Sequence, residues 1–192
     1  MKVKQKYEAP KLIKHGNIRD LVLGNAGSFI EGTTGDDTLI GTQKDDTIIG
    51  REGNDLIAGR GGNDTIYETS GNNTLEGEAG NDFVIGGDDK DTIRGGEGDD
   101  FLGGNSGDDS VLGEAGSDTI LGAPGNDFLD GGAGADSVAG FDGNDTLVGL
   151  EADDTLTGGA GADVFIINSN SSAVIKDFNA AEGDTILDRG GE

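Results

Sequence analysis

Aspartate recurs at every ninth residue through most of the chain and could provide a row of metal ligands. From Gly32 to Ile166 the sequence divides into fifteen units of nine residues without insertion or deletion. A carboxylate combined with backbone carbonyl oxygens forms the hard oxygen shell that Ca²⁺ prefers and that zinc or copper does not. The residues at position six of the unit are therefore candidate calcium ligands: Asp37, Asp46, Asp55, Asp64, Asn73, Asp82, Asp91, Asp100, Asp109, Asp118, Asp127, Asp136, Asp145, Asp154 and Asp163.

Glycine at positions one and four of the unit predicts a tight turn around each aspartate. Position one is Gly in fourteen of the fifteen units, and position four is Gly in twelve. Glycine lets the backbone take positive φ and turn sharply, so such a turn can aim its carbonyl oxygens at an ion. The repeat pattern is broken at Glu68, Asn73 and Asp89, in repeats five and seven. We therefore expect weaker calcium sites there.

Positions seven to nine of each unit predict a short β-strand that places the turns. They commonly read Thr-aliphatic-aliphatic, and position eight is apolar in every unit. Because side chains alternate along a strand, position eight faces one side while positions seven and nine face the other. Position eight should therefore build the core. Phe83 and Phe101 occupy position seven of repeats six and eight, and we expect them to stack on neighbouring strands.

The composition is strongly acidic and limits the possible partners. Asp and Glu total 38 against 13 Lys and Arg, which gives a formal net charge of −25, and 32% of the residues are hydrophobic. So little apolar surface does not offset chain entropy in an ordinary core, and we expect disorder without a bound counter-charge. The charge argues against nucleic acids and anionic membranes as partners. No apolar run approaches the roughly 20 residues of a transmembrane segment, and no Sec signal-peptide core follows the N-terminal lysines.

Two other interpretations of the repeat fit the residues less well. A flexible glycine-rich linker has no reason to keep an apolar residue at every ninth position. An ice-binding surface would need a regular ladder of hydroxyl groups, but position three changes along the chain from Thr34 to Gln43, Glu52 and Gly61. We assign no catalysis, since no nucleophile motif or cofactor fingerprint accompanies the aspartates.

The unit GGxGxDxUx, in which U is apolar, resembles the RTX (repeats-in-toxin, hemolysin-type) nonapeptide, a calcium-binding repeat. The resemblance implies an all-β fold, a right-handed parallel β-roll in which two nonapeptides form one coil. It also implies that each calcium ion lies between position-six residues 18 apart, such as Asp37 and Asp55. Eight odd-numbered repeats leave seven gaps and seven even-numbered repeats leave six, so the ceiling is about thirteen ions.

The same resemblance implies a location outside the cell. RTX proteins are secreted or held at the bacterial cell surface, and many leave the cell through type I secretion machinery without a Sec signal peptide. Residues 167–192 follow the last repeat and predict a C-terminal cap of paired strands. Its apolar residues should cover the last layer of the core: Val174, Ile175, Phe178, Ile186 and Leu187.

Residues 1–24 differ from the repeats and form a basic, leader-like arm that residues 25–31 link to the roll. This segment resembles the leader peptides of lasso-type ribosomal peptides, which a leader-recognition protein captures as an added strand. An irregular arm that packs on the acidic roll is the other interpretation. The residues that carry the resemblance are tentative recognition residues: Tyr7, Pro10, Leu12, Gly16 and Leu21.

Two functions remain open from the sequence. The preferred one is a calcium-binding, secreted structural or surface protein that folds on binding Ca²⁺ through the repeats of residues 32–166. The alternative is a precursor of the ribosomal-peptide type, whose N-terminal leader recruits modification machinery and whose roll acts as a carrier or export module.

Overall fold

The computed structural model describes residues 27–151 and 153–190, which form a parallel β-solenoid of two sheets. Every regular element within these residues is a β-strand. Successive strands alternate between the two sheets, so that each sheet contains every second strand of the chain. The predicted all-β parallel β-roll is therefore confirmed. The predicted basic arm, residues 1–24, lies outside the described residues.

The two sheets have nine strands each. The first sheet contains β1 (Phe29–Glu31), β3 (Thr47–Ile49), β5 (Thr65–Tyr67), β7 (Phe83–Asp88), β9 (Phe101–Ser106), β11 (Thr119–Pro124), β13 (Ser137–Asp142), β15 (Thr155–Ala160) and β17 (Val174–Ile175). The second sheet contains β2 (Thr38–Ile40), β4 (Leu56–Gly61), β6 (Thr74–Ala79), β8 (Thr92–Glu97), β10 (Ser110–Ala115), β12 (Phe128–Asp130), β14 (Thr146–Gly149), β16 (Val164–Ile167) and β18 (Thr185–Asp188).

The register of the sheets follows the repeat. Ile48 of β3 pairs with Ile66 of β5, and Leu39 of β2 pairs with Ile57 of β4. Both pairs are 18 residues apart, the length of two nonapeptides. One coil of the solenoid therefore consists of two consecutive repeats, and equivalent positions stack directly from coil to coil.

The core is a single stack of position-eight side chains enclosed between the two sheets. Each of these residues is at most 2% exposed, because alternation along the short strands turns position eight inward. Full burial of one such aliphatic side chain contributes about 1.5–3 kcal/mol. The stack consists of Ile30, Leu39, Ile48, Ile57, Ile66, Leu75, Val84, Ile93, Leu102, Val111, Ile120, Leu129, Val138, Leu147, Leu156 and Phe165.

Aromatic side chains form a short row on the outside of the first sheet. The rings of Phe83 and Phe101 are stacked, with centroids 4.9 Å apart and an interplanar angle of 4°. Tyr67 continues the row, and its ring centroid lies 5.5 Å from that of Phe83. The predicted stacking of the two phenylalanines is confirmed. The row arises because the parallel register places Phe83 directly beside Phe101.

The roll begins before the first glycine-containing unit. Strand β1 lies within residues 25–31, the predicted linker, and pairs with β3 in the same register as the later coils. Ser28 directly precedes β1 and occupies position six of this coil, where the repeats have aspartate. The main-chain N–H of Ser28 donates to Asp46 Oδ1, as the position-six N–H groups of later repeats do to theirs. An 18-residue register is thus kept without the aspartate.

The C-terminal strands continue both sheets, and the last core residues, Leu156 and Phe165, are fully buried. Ile175 packs against the core as predicted. The ring centroid of Phe178 lies 6.4 Å from that of Phe165 in the last layer. Val174, Phe178, Ile186 and Leu187 are themselves 44–50% exposed. Strand β18 pairs with β16 on one side only, and no strand within the described residues lies beyond it to bury Ile186 and Leu187.

We predict different outcomes for alanine at two glycines that share position four. Gly98 has a φ of 124°, and a Cβ there would overlap the carbonyl oxygen of Gly80 in the preceding coil. Gly98→Ala should lower the free energy of unfolding by about 1–3 kcal/mol, the range for a residue held in strained backbone. At Gly35 an added Cβ meets no atom within 4 Å, so Gly35→Ala is the matched control. Thermal melts that give equal losses for both variants would contradict the described turn geometry.

Candidate metal centre

The position-six residues line the turns of the roll in two buried rows, one at each edge where the strands begin. All fifteen are at most 4% exposed. Each one follows the turn and directly precedes a strand, so its side chain points back under the glycines of its own repeat. The structure brings together the predicted partners 18 residues apart: the N–H of Asp37 donates to Asp55 Oδ1, and the N–H of Asp46 donates to Asp64 Oδ1, both at 2.7 Å.

This hydrogen bond repeats along both rows and occupies Oδ1 of the position-six aspartates from Asp46 to Asp163, whereas Oδ1 of Asp37 has no donor among the described residues. The N–H of Asp82 donates to Asp100 Oδ1 at 2.7 Å, and the N–H of Asp100 donates to Asp118 Oδ1 at 2.8 Å. Each of these aspartates therefore binds the coil before it through Oδ1. A hydrogen bond to an ionised group is stronger than one between neutral groups, so this ladder fixes both the spacing of the coils and the orientation of the second oxygen, Oδ2.

The second oxygen has no hydrogen-bond donor among the described residues in twelve of the aspartates, and we call it the free oxygen. A buried carboxylate oxygen without a donor or a cation is costly, because the charge has lost its water. A proton or a positive ion must therefore offset it. The aspartates with a free oxygen are Asp55, Asp64, Asp82, Asp91, Asp100, Asp109, Asp118, Asp127, Asp136, Asp145, Asp154 and Asp163.

The free oxygens face a small space above the glycine at position one, which we call the cradle. A Cβ placed on Gly77 would overlap Asp82 Oδ2 and lie 2.7 Å from the carbonyl oxygen of Gly95 in the next coil. Position one is thus glycine because a side chain would fill the cradle. The backbone takes positive φ at position four and at position two, for example at Glu78 with a φ of 75°.

The donor set of the cradle fits a calcium ion. A carboxylate oxygen from one coil and a carbonyl oxygen from the next converge there, and Ca²⁺ takes six to eight such oxygens in flexible geometry. Within residues 27–151 and 153–190, no group of three or more His, Cys, Asp or Glu side chains could hold a metal. Any ion in the turns therefore depends on backbone carbonyls as well as on carboxylates.

Burial changes the proton affinity of the same carboxylates. Burial away from water, opposed by the ladder hydrogen bond and assisted by neighbouring carboxylates, raises the pKa of Asp64, Asp91, Asp100 and Asp127 to about 7. The same burial raises the pKa of Asp118 and Asp145 to about 6, and of Asp154 likewise. These groups hold a proton more tightly in the roll than in the unfolded chain, where no such burial exists.

In the first two repeats, a threonine at position two satisfies the Oδ2 atom of the aspartate. Thr33 at position two donates its N–H to Asp37 Oδ2 at 2.6 Å and its hydroxyl to the same oxygen at 2.9 Å. Thr42 donates to Asp46 Oδ2 in the same way, and its hydroxyl lies 3.0 Å from that oxygen. A threonine at position two therefore replaces the ion as the partner of Oδ2 in these repeats. The row of free Oδ2 atoms begins only at Asp55.

Sequence reasoning missed two groups of residues in the turns. Asn or Asp at position five forms an exposed ladder in the opposite direction, in which Asn63 Oδ1 accepts the N–H of Asn81 at 2.9 Å. The signal was present, since position five is Asn or Asp in most units. In the cap, Asp184 acts as a further position-six residue, because its Oδ1 accepts the N–H of Asp163 at 3.1 Å. The local match Gly183-Asp184-Thr185 could have identified it.

The predicted leader-recognition residues lie outside the described residues: Tyr7, Pro10, Leu12, Gly16 and Leu21. In the part of the chain that is described, no helix is long and apolar enough to cross a membrane.

We predict that the calcium-free roll is more stable in mild acid than in mild alkali. Burial raises the pKa of Asp64, Asp91, Asp100 and Asp127 from the ordinary value of 3.8 to about 7, so the folded state binds more protons between about pH 4 and about pH 7. Stability is then present at low pH and is lost as the pH rises through about 7. Far-ultraviolet circular dichroism in chelator should show more β-structure at about pH 5 than at about pH 8.

The control for this prediction is the same comparison in saturating calcium, where the trend should reverse. Protons compete with Ca²⁺ for the carboxylates, so the calcium concentration at the folding midpoint should rise in acid. A calcium-free chain whose β-signal increases from about pH 5 to about pH 8 would contradict the protonation argument.

Comparison with known proteins agrees with this geometry. The family model described as RTX calcium-binding nonapeptide repeat matches the chain in four copies, at residues 31–66, 69–102, 103–138 and 139–166. A search of curated proteins found no match. The four copies span the coils that carry the buried aspartates and the glycine cradles. The chain belongs to the RTX calcium-binding nonapeptide repeat family, and its repeats bind Ca²⁺.

Proposed function

We propose that the protein is a secreted structural or surface protein whose roll folds when Ca²⁺ binds between its coils. The ligands would be the carboxylates at position six together with the carbonyl oxygens at position one of the next coil. The observation that carries the proposal is the row of twelve buried aspartates whose Oδ2 has no donor among the described residues. Ca²⁺ supplies the positive charge that these oxygens need, and the role is structural and not catalytic.

The charge of the chain supports a coupling between calcium and folding. Stacking the coils brings carboxylates 18 residues apart into adjacent positions, in a chain whose formal net charge is −25. Without cations, repulsion and lost hydration oppose this stack, and the thin core does not offset them. Binding energy for ions that bind only the folded state becomes folding energy. The proposed number of ions remains at or below the ceiling of about thirteen.

Weak calcium affinity would suit secretion. Calcium sites of extracellular modules often have dissociation constants of about 10⁻⁴–10⁻³ M. Such a chain would stay unfolded in the calcium-poor cytosol, pass through type I secretion machinery, and fold outside the cell. Its acidic surface would repel nucleic acids and anionic lipids, so the proposed contacts are with other extracellular or cell-surface components.

A second candidate function depends on the spacing of Tyr7, Pro10, Leu12, Gly16 and Leu21, which resembles a lasso-type leader. In this alternative the leader recruits modification machinery through a leader-recognition protein, and the roll is a carrier or export module. The two candidates agree on calcium binding and differ in the partner of residues 1–24. Genes for a leader-recognition protein and a peptidase beside the gene of this protein would favour the second.

We predict a cooperative gain of β-structure on calcium titration of the purified chain. Far-ultraviolet circular dichroism should change with Ca²⁺ and not with Mg²⁺, because Mg²⁺ demands tighter octahedral geometry and gives up water reluctantly. Disorder that persists at about 10 mM calcium, roughly ten times the weak end of the expected range, would overturn the proposal. If the chain is fully folded in chelator, the described fold stands but the proposal that calcium triggers folding is wrong.

We predict that Asp100→Asn loses bound calcium whereas Asp99→Asn does not. Asp100 is 4% exposed and has a free oxygen, whereas the adjacent Asp99 is exposed and accepts the N–H of Ser117. Both variants remove one negative charge. Loss of an ion present at about a hundred times its dissociation constant costs about 2.7 kcal/mol. Native mass spectrometry and thermal melts in calcium check this, and equal results for the two variants would exclude Asp100 as a ligand.

A further inference from the structure

Repeat five departs from the nonapeptide at two positions that belong to the candidate metal centre. Glu68 replaces the glycine at position one, and Asn73 replaces the aspartate at position six. Glu68 is 5% exposed, and neither of its carboxylate oxygens has a hydrogen-bond donor among the described residues. A buried carboxylate without a donor is costly unless a cation or a proton offsets it. Packing alone therefore gives no reason for Glu68.

The Glu68 side chain enters the cradle of the preceding coil. A Cβ placed on Gly50 would overlap Glu68 Oε1 and lie 2.6 Å from Asp55 Oδ2. Asp55 Oδ2 is itself a free oxygen. The Glu68 carboxylate thus takes the place that a carbonyl oxygen of the next coil takes above Gly77. Burial, and then the charge of Asp55, raise the pKa of Glu68 to about 8, as expected for two carboxylates that face each other.

Asn73 has the opposite effect on its own cradle. Its Oδ1 accepts the N–H of Asp55 at 2.9 Å, as an aspartate does elsewhere in the row. Its Nδ2 donates to the carbonyl oxygens of Gly71 at 3.0 Å and Gly86 at 3.5 Å. Gly86 is the position-one residue of the next coil, whose carbonyl would otherwise face an ion. The partly positive N–H groups of Asn73 therefore lie where other repeats have a free, negatively charged oxygen.

We propose that Glu68 is a calcium ligand in the cradle of Gly50, together with Asp55, and that Asn73 closes the following cradle to calcium. Repeat five lacks a carboxylate at position six, where it has Asn73, but has one at position one, Glu68. The Glu68 carboxylate binds the ion in the cradle of the preceding coil. This inference rests on the proposed function, because it assumes that the cradles hold Ca²⁺. It replaces the expected weak site at Glu68 with a site that has an additional carboxylate.

The test compares Glu68→Gln with Glu52→Gln, which removes the same charge from an exposed side chain in the coil of Gly50. Native mass spectrometry in calcium should show one bound ion fewer for Glu68→Gln and an unchanged number for Glu52→Gln. The melting temperature in calcium should fall only for Glu68→Gln. An unchanged ion number, or a higher melting temperature in calcium, would overturn the role of Glu68 as a ligand.

A second variant keeps the test informative if glutamine is poorly tolerated. Glu68→Gly restores the residue that the other fourteen units have at position one. A ligand role predicts weaker calcium binding in this variant, because Asp55 becomes the only carboxylate of its cradle while Asn73 stays neutral. If Glu68 is only a defect in the repeat, Glu68→Gly should bind calcium more tightly than the wild type, and that result would overturn the inference.

Terbium gives a local measurement of the same cradle. Tb³⁺ occupies calcium sites and emits when a nearby tyrosine absorbs, and the chain has two tyrosines and no tryptophan. Tyr67 directly precedes Glu68. Tyrosine-sensitised emission should therefore drop in Glu68→Gln and persist in Glu52→Gln. Equal emission from the two variants would count against an ion beside Glu68.

Asn73→Asp tests the closed cradle separately. A carboxylate there removes the amide donor, so this variant should bind one ion more than the wild type, and no gain would overturn the closure. The wild type provides the remaining distinction. If the wild-type chain binds no calcium, the proposed function itself is refuted. If the wild type binds calcium and the Glu68→Gln variant binds the same number of ions, only this inference is refuted.

Discussion

The hydrogen bond from a position-six N–H to the position-six side chain one coil later is the interaction on which the rest of the roll depends. It joins adjacent coils at the turns along both rows, for example Asp82 with Asp100 at 2.7 Å. It also decides which carboxylate oxygen is left for a cation, because Oδ1 is used and Oδ2 is turned toward the cradle. The spacing of the coils and the position of the charge thus have a single cause. The buried Oδ2 atoms of such a structure need a cation or a proton at the turns.

The core explains why the turns have so much influence. Each repeat contributes one fully buried side chain, such as Ile93 or Leu102, and the sheets enclose a stack that is one residue deep on each side. In a solenoid each coil contacts only its neighbours, so stability is a sum of local contributions along the array. One buried side chain per repeat is a small core for nine ordered residues, so the bonds at the turns add to the cohesion between coils.

The sequence predicted the features that repeat and missed those that depend on three-dimensional neighbours. Position eight was recognisable because strand alternation demands one inward side chain, and the 18-residue pairing of Asp37 with Asp55 followed from the family resemblance. The start at Ser28 was hidden because the main-chain N–H, and not a side chain, maintains the register there. The roles of Thr33 and Thr42 were hidden because position two varies in the other repeats, and only the folded turn brings it to Oδ2.

The repeats satisfy the buried Oδ2 atom with different groups, and the kind of group changes along the chain. At the N-terminal end, threonine donors satisfy Oδ2 of Asp37 and Asp46. At the C-terminal end, Oδ2 of Asp184 accepts the N–H of Asn179 at 2.7 Å. The free Oδ2 atoms lie between these ends, from Asp55 to Asp163. Internal donors thus satisfy Oδ2 in the first repeats and in the last coil of the described roll, and the Oδ2 atoms that need a cation or a proton lie between them.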